Sequence, residues 1–179
     1  MIPTEAQAKI LWDTYQLPQA KRVHVALVAK VAVFLAQKIT QLTNQQTDQS
    51  LLTAAALLHD IDKNIPKLPD EAHPDAGVRI LRKEGMEEVA ELVKTHPLHA
   101  ILDPTIAPST WEEKLLFLAD KMVKYEIITV DKRFVLWNAE HLPAKEQDIL
   151  DRAYPKVKAL EREVFDLIGM LPADVVQLI

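Results

Sequence analysis

Apolar residues recur three and four positions apart along most of the chain, and capping or turn residues divide that pattern into segments of helical length. Thr4 with Gln7 forms a capping-box pattern ahead of Ile10, Leu11, Tyr15 and Leu17, which predicts a first helix over about 4–16, with Pro18 ending it or opening the next. Residues 19–42 carry a wide apolar face through Val28, Val31, Leu35 and Ile39 and predict a long core helix with His24 near its start. After the polar stretch TNQQTDQS, Asp48 caps a helix that runs to about His59. Pro66 and Pro69 mark irregular chain, and Pro74 and Gly85 frame a short helix over about 74–84. The next helix covers about 86–95 and ends near His96-Pro97.

HPLHAILDPTIAPST, with its three prolines, reads as a loop. Thr110 with Glu113 repeats the capping-box pattern and opens a helix through WEEKLLFLADKMVKYE that places Asp120 deep inside it. Asp131 is positioned to cap a helix to about Glu140, Pro143 to open a long one to about Ile168 with a kink at Pro155, and LPADVVQLI to form a short terminal helix or tail. No internal repeat interrupts this series.

Three glycines against many Ala, Leu, Lys, Glu and Gln favour helices throughout, because those side chains lose little rotamer freedom in a helix. With 179 residues, 49% of them hydrophobic and 26% charged, the expectation is one all-α domain with a substantial core. A net charge of −5 argues against a protein built to coat nucleic-acid phosphates. The absence of cysteine removes disulfides, thiolate metal sites and thiol nucleophiles, leaving His and carboxylates as strong metal ligands. The longest apolar run, Val25 to Ala36, is interrupted by Lys30 and falls short of the roughly 20 residues a spanning helix needs. It reads as core rather than membrane, and with no basic-then-apolar start the expected compartment is the cytoplasm.

Four residues put a metal-ligand side chain where packing favours an apolar one: His24, His59, Asp60 and Asp120. The stretch TAAALLHDIDKN runs from small and apolar residues directly into His59-Asp60, two groups that are costly to bury unpaired. Each also has a plainer reading. His24 fits a core histidine satisfied by carbonyl groups, and Asp120 fits an ion pair with a neighbouring lysine. His73 and His96, each before a proline, fit ordinary histidines at helix boundaries.

Together, His24, His59-Asp60 and Asp120 resemble the pattern of the HD-domain metal-dependent phosphohydrolases: a His on an early helix, a His-Asp pair closing a later one, and a distant helical Asp. The resemblance covers about residues 18–135, and LLHDIDKN is similar to the central motif, with Asp62 where many members have Gly. HPDAGV, with His73 and Gly77, KTHP with His96, and FLADKMV followed by Val130-Asp131 and Arg133 are similar to a binuclear group. That group includes bacterial diadenosine-tetraphosphate hydrolases that cut their substrate symmetrically into two ADP.

The resemblance implies a single-domain HD-type bundle of long and short helices around a metal cleft, with a core over about 18–135 and a C-terminal helical extension over about 136–179. It implies one ion on His24, His59, Asp60 and Asp120 and a second on His73, His96 and a bridging Asp60. The all-N/O set suits iron or manganese, divalent or mixed-valence, and admits magnesium, cobalt or zinc. Lys63, three residues beyond Asp60, and Arg133 are the implied phosphate contacts, and each also fits a solvated or structural role. The implied function is hydrolysis of a nucleotide-type phosphoanhydride, with a dinucleoside polyphosphate as favoured small-molecule substrate. A phosphomonoesterase, a cyclic-nucleotide phosphodiesterase and a non-catalytic nucleotide-binding module are the alternatives.

Overall fold

The computed structural model describes residues 1–179 and is all-α, with nine α-helices, one 3-10 turn and no strand. The helices are α1 (Glu5–Thr14), α2 (Gln19–Leu42), α3 (Gln49–Leu58), α4 (Asp75–Lys83), α5 (Glu87–Lys94), α6 (Trp111–Lys121), α7 (Val130–Asn138), α8 (Ala144–Ile168) and α9 (Pro172–Leu178). Their starts follow the capping chemistry. Thr4 and Thr110 each accept from the backbone three residues on, with Gln7 and Glu113 reaching back, so both capping boxes form. Asp48 caps α3 by accepting from the Leu51 N–H at 2.9 Å. Gly169 closes α8 with φ of +63°, a left-handed backbone that only glycine adopts without a Cβ penalty.

The long helix α2 is the axis of the bundle, and α3 and α6 pack against it. Val25, Val28, Val31, Leu35 and Ile39 point inward, each fully buried, and meet Leu52, Leu58, Leu115 and Leu118 from those two neighbours. By length and mean hydropathy α2 passes a membrane-span criterion, yet half of its most apolar window is buried against the rest of the chain, as a core helix would be. α5 lies on α3 and carries α4, while α8 crosses α2, α7 and the 3-10 turn over Leu98–Leu102. One continuous apolar core results, running from Ala8 to Val175.

Four expectations from the sequence need correction. The supposed loop after His96 contains the 3-10 turn, since Ala100 and Asp103 bond back to Pro97 and Ala100. Asp120 lies in the last turn of α6 rather than deep inside it, because Met122 caps the helix. Thr129, not Asp131, caps α7; Asp131 instead accepts from Tyr154 Oη at 2.7 Å and Lys158 Nζ at 3.0 Å. Ile10 is exposed, and the buried face of α1 is Ala8, Leu11 and Trp12, whose indole N–H donates to the Leu57 carbonyl at 2.8 Å.

Removing the Thr110 cap, which fixes the start of the helix that ends in Asp120, is expected to cost about 1 kcal/mol. Thr110→Ala should therefore lower the thermal midpoint by roughly 2–4 °C for a chain of this size, read by circular dichroism. An unchanged midpoint would mean that packing alone sets the start of α6.

Candidate metal centre

Helix ends deliver nearly every polar side chain of the cleft. His24 sits just over one turn into α2, with Lys21 one turn before it on the same face. His59 is the C-cap of α3, and the chain continues in tight turns, Ile61 N to Leu58 O at 3.0 Å and Lys63 N to Asp60 O at 3.1 Å. Ile61 is fully buried and anchors this turn in the core, which holds Asp60 and Asp62 below the surface. His73 immediately precedes the N-cap of α4, His96 follows the cap of α5, and Asp120 ends α6.

These positions converge. His24, His59 and Asp60 each offer a donor atom within 4.8 Å of the other two, and so do Asp60, His73 and His96. Asp60 belongs to both groups. Asp120 Oδ1 stands 3.1 Å from His24 Nε2 and 3.5 Å from His59 Nε2, so it joins the first group. All six residues singled out as ligands in the sequence therefore line one centre.

Hydrogen bonds on the far side of the rings decide what the near side presents. His59 Nδ1 lies 2.8 Å from the Ala56 carbonyl and His96 Nδ1 2.5 Å from the Val93 carbonyl. A carbonyl only accepts, so both Nδ1 atoms carry the proton and both Nε2 atoms turn a lone pair inward. His73 Nδ1 lies 3.0 and 3.1 Å from the two oxygens of Asp62, which orient it in the same way. The Nε2 atoms of His73 and His96 then face one another at 2.9 Å. Two lone pairs at that distance repel unless a proton or a cation lies with them.

His59 Nε2 is buried with no hydrogen-bond partner at all. Ligands about 2.1 Å from one octahedral ion lie about 3 Å from each other, close to the 3.1 Å and 3.5 Å separations around Asp120. The donor set fits a divalent metal.

The surrounding charges are arranged to the same end. Asp60 receives Lys21 Nζ at 2.9 Å and Lys63 Nζ at 3.1 Å. Burial pushes its pKa up, but His59, Lys63 and Lys21 outweigh this and hold it below the usual carboxylate range. Asp120 is likewise held well below that range, against its burial, by Lys121 Nζ at 2.7 Å and by the two histidines. Burial lowers the pKa of His59, but Asp60 and Asp120 reverse the sign, so this centre favours a positive charge at Nε2. His96 shifts the other way, well down, through its own burial and the neighbouring His59 and His73, and stays neutral.

The sequence patterns did not point to Lys21, Asp62, Lys121 or His99. Lys121 is 1% exposed; it donates to the His96 carbonyl at 2.5 Å and thereby ties the end of α6 to the end of α5. Helical spacing from His24 could have singled out Lys21. Lys121 makes the ion pair that Asp120 was expected to form with a neighbouring lysine, at 2.7 Å, but its bond to the His96 carbonyl, 25 residues away, has no local signal. Lys63 and Arg133, the two expected phosphate contacts, both line the cleft, which has a volume of about 430 Å³ and also admits His99. The Arg133 side chain makes no hydrogen bond or ion pair within the protein, its Nε is buried without a partner, and its guanidinium lies over the Trp137 ring at 4.3 Å from the centroid.

Comparison with known proteins gives one match. No curated protein and no solved structure matches the chain. The model of the family described as HD domain matches residues 23–124, a span that runs from just before His24 to just past Asp120. Members of this family are generally metal-dependent hydrolases, and the His/Asp groups described above can hold a metal here. With more than half its length matched and the family's His, His-Asp and Asp converging on one cleft, this chain belongs to the HD domain family.

Proposed function

We propose that this protein hydrolyses a nucleotide-type phosphoanhydride, with a dinucleoside polyphosphate as substrate, at a centre holding two metal ions. The observation that carries this reading is Asp60, one carboxylate shared by two donor groups. Two groups meeting at one carboxylate create neighbouring cation positions, the arrangement that suits an in-line displacement at phosphorus. His24, His59, Asp60 and Asp120 hold one ion, His73, His96 and Asp60 the other, and the nitrogen and oxygen donors suit iron or manganese. When bound, such ions polarise phosphoryl oxygens and bring the pKa of water towards about 7.

The chain's own groups do the rest. Asp60 fixes the spacing of the two halves, while the Ala56 and Val93 carbonyls and Asp62 hold three imidazoles in the ligand tautomer. Lys63 and Lys21 stand against Asp60 at the cleft, where phosphate oxygens can take their ammonium groups. Arg133, with its donors free, takes a more distant phosphate bidentately. With a dinucleoside tetraphosphate, water adds to an inner phosphorus, the bond from that phosphorus to the central bridging oxygen breaks, the water's protons pass to the leaving oxygen and to solvent, and both halves leave as nucleoside diphosphates. A cleft of about 430 Å³ is of a size to hold one nucleotide.

Activity should disappear with a strong chelator and return with iron or manganese, and diadenosine tetraphosphate should give ADP alone by chromatography. Equal AMP and ATP would replace symmetrical with asymmetrical cleavage. Brisk turnover of monoesters or cyclic nucleotides with the anhydride untouched would move the activity to those substrates. Binding without turnover would make this a regulatory module.

Metal number is tested by replacing both His73 and His96 with Ala, which should leave one ion per chain by elemental analysis and reduce turnover severely. Unchanged stoichiometry and rate would return both to the role of boundary histidines. Asp62→Ala should weaken metal binding or turnover by about 10- to 100-fold, with partial recovery in Asp62→Asn, whose amide oxygen still accepts from His73. Equal behaviour of wild type and the Ala variant would remove Asp62 from any part in orienting His73.

A further inference from the structure

The cleft has two unlike sides. One is the charged centre. The other is supplied by residues 137–150, beyond the family match, and consists of Trp137, Leu142, Ile149 and Leu150 with the carboxylates of Glu140 and Glu146. No lysine, arginine or histidine from this segment lines the cleft. Glu140 is already paired with Lys124. The exposed Glu146 carboxylate has no hydrogen-bond or ion-pair partner within the protein, unlike the side chains of its neighbours Gln147 and Asp148, and it lies in the first turn of α8, where the helix dipole favours its negative charge.

The one carboxylate here without a cation, Glu146, disfavours a phosphate beside it, so the part of a substrate that rests against it is uncharged. The wall's chemistry narrows it further. Apolar side chains and an indole favour a flat ring, and a carboxylate facing the cleft with only water on it is free to accept from an N–H. Arg133 links the two sides, because its guanidinium stacks on Trp137 while its donors remain free for phosphate.

Building on the phosphoanhydride reading, we infer that residues 137–150 form a nucleobase subsite that selects a base carrying an exocyclic amine, with the ring against Trp137, Leu142 and Ile149 and the amine donating to Glu146. A base with a carbonyl at that place sets an acceptor against a carboxylate and is rejected. Adenine is therefore preferred to hypoxanthine, which has a carbonyl in place of the amine and whose edge N–H lies one ring position away, at N1, off the line to Glu146.

The test is calorimetric binding to the metal-loaded protein, with ADP, inosine diphosphate and inorganic tripolyphosphate as probes. ADP should bind about tenfold or more tightly than inosine diphosphate. Glu146→Gln, an exposed change that leaves the fold alone, should bring the two within about threefold, because an amide can either accept from the amine or donate to the carbonyl. Ile149→Ala, which leaves Arg133 on its indole, should weaken both nucleotides and leave tripolyphosphate unchanged. Equal binding of the two nucleotides to the wild type, or a preference that survives Glu146→Gln, overturns the subsite even if hydrolysis proceeds. Selective ADP binding without hydrolysis of any anhydride would instead sink the hydrolase reading and leave the subsite standing.

Discussion

Two carboxylates drawn below the surface of an apolar bundle set the terms for the rest of this molecule. Asp60 is 4% exposed, and the partly buried Asp120 comes within 3.5 Å of the His59 ring that also neighbours Asp60, so their charges cannot be left to water alone. Each must be met by positive charge delivered from elsewhere in the fold. The structure delivers it along three routes: Lys21 from α2, Lys63 from the turn after α3, and Lys121 from the end of α6. The helix packing can be seen as the means of bringing those routes to one place.

Helix ends suit that task for a physical reason. The carbonyl groups in the last turn of a helix have no intrahelical partner, and here two of them, at Ala56 and Val93, take the Nδ1 protons of His59 and His96 three residues later. The same step that ends the helix therefore fixes the tautomer of the side chain. His73 sits at the start of α4, where no such carbonyl is offered, and Asp62 supplies the acceptor instead. This accounts for an acidic residue at a place where many relatives of the pattern have Gly.

Much of this could be seen in the chain before its folding was known, and the reason is locality. Capping boxes, prolines and helical periodicity act within four residues, so α2, α3 and α6 were visible, together with the histidines and aspartates at their ends. What escaped notice depends on contacts between distant segments. An ion pair between Asp120 and a neighbouring lysine was legible and Lys121 makes it, but that its ammonium is also buried against a carbonyl of residue 96 was not. Asp131 had the right residue type for a cap, but Thr129 was better placed and the carboxylate was drawn to Tyr154 and Lys158. The wall from Trp137 to Leu150 had no motif, since an apolar residue lining a cleft and one lining a core look alike in sequence.

The lysines also bear on how metal binding relates to folding. In small metal-dependent folds the ligands come together only when the ion binds, so loss of the ion unfolds the chain. Here Asp60 is met by two ammonium groups and Asp120 by one ammonium and one imidazole, all from the protein itself. The surrounding core is continuous from α1 to α9 and owes nothing to a metal. Carboxylates compensated in this way hold their positions through packing, and the cost of assembling the site is met by the apolar core. Any ion that enters adds its charge to a cleft whose acids are already balanced, and the excess is positive. A centre of that kind attracts polyanions, which links the way the fold tolerates its two buried acids to the phosphate chemistry proposed for it.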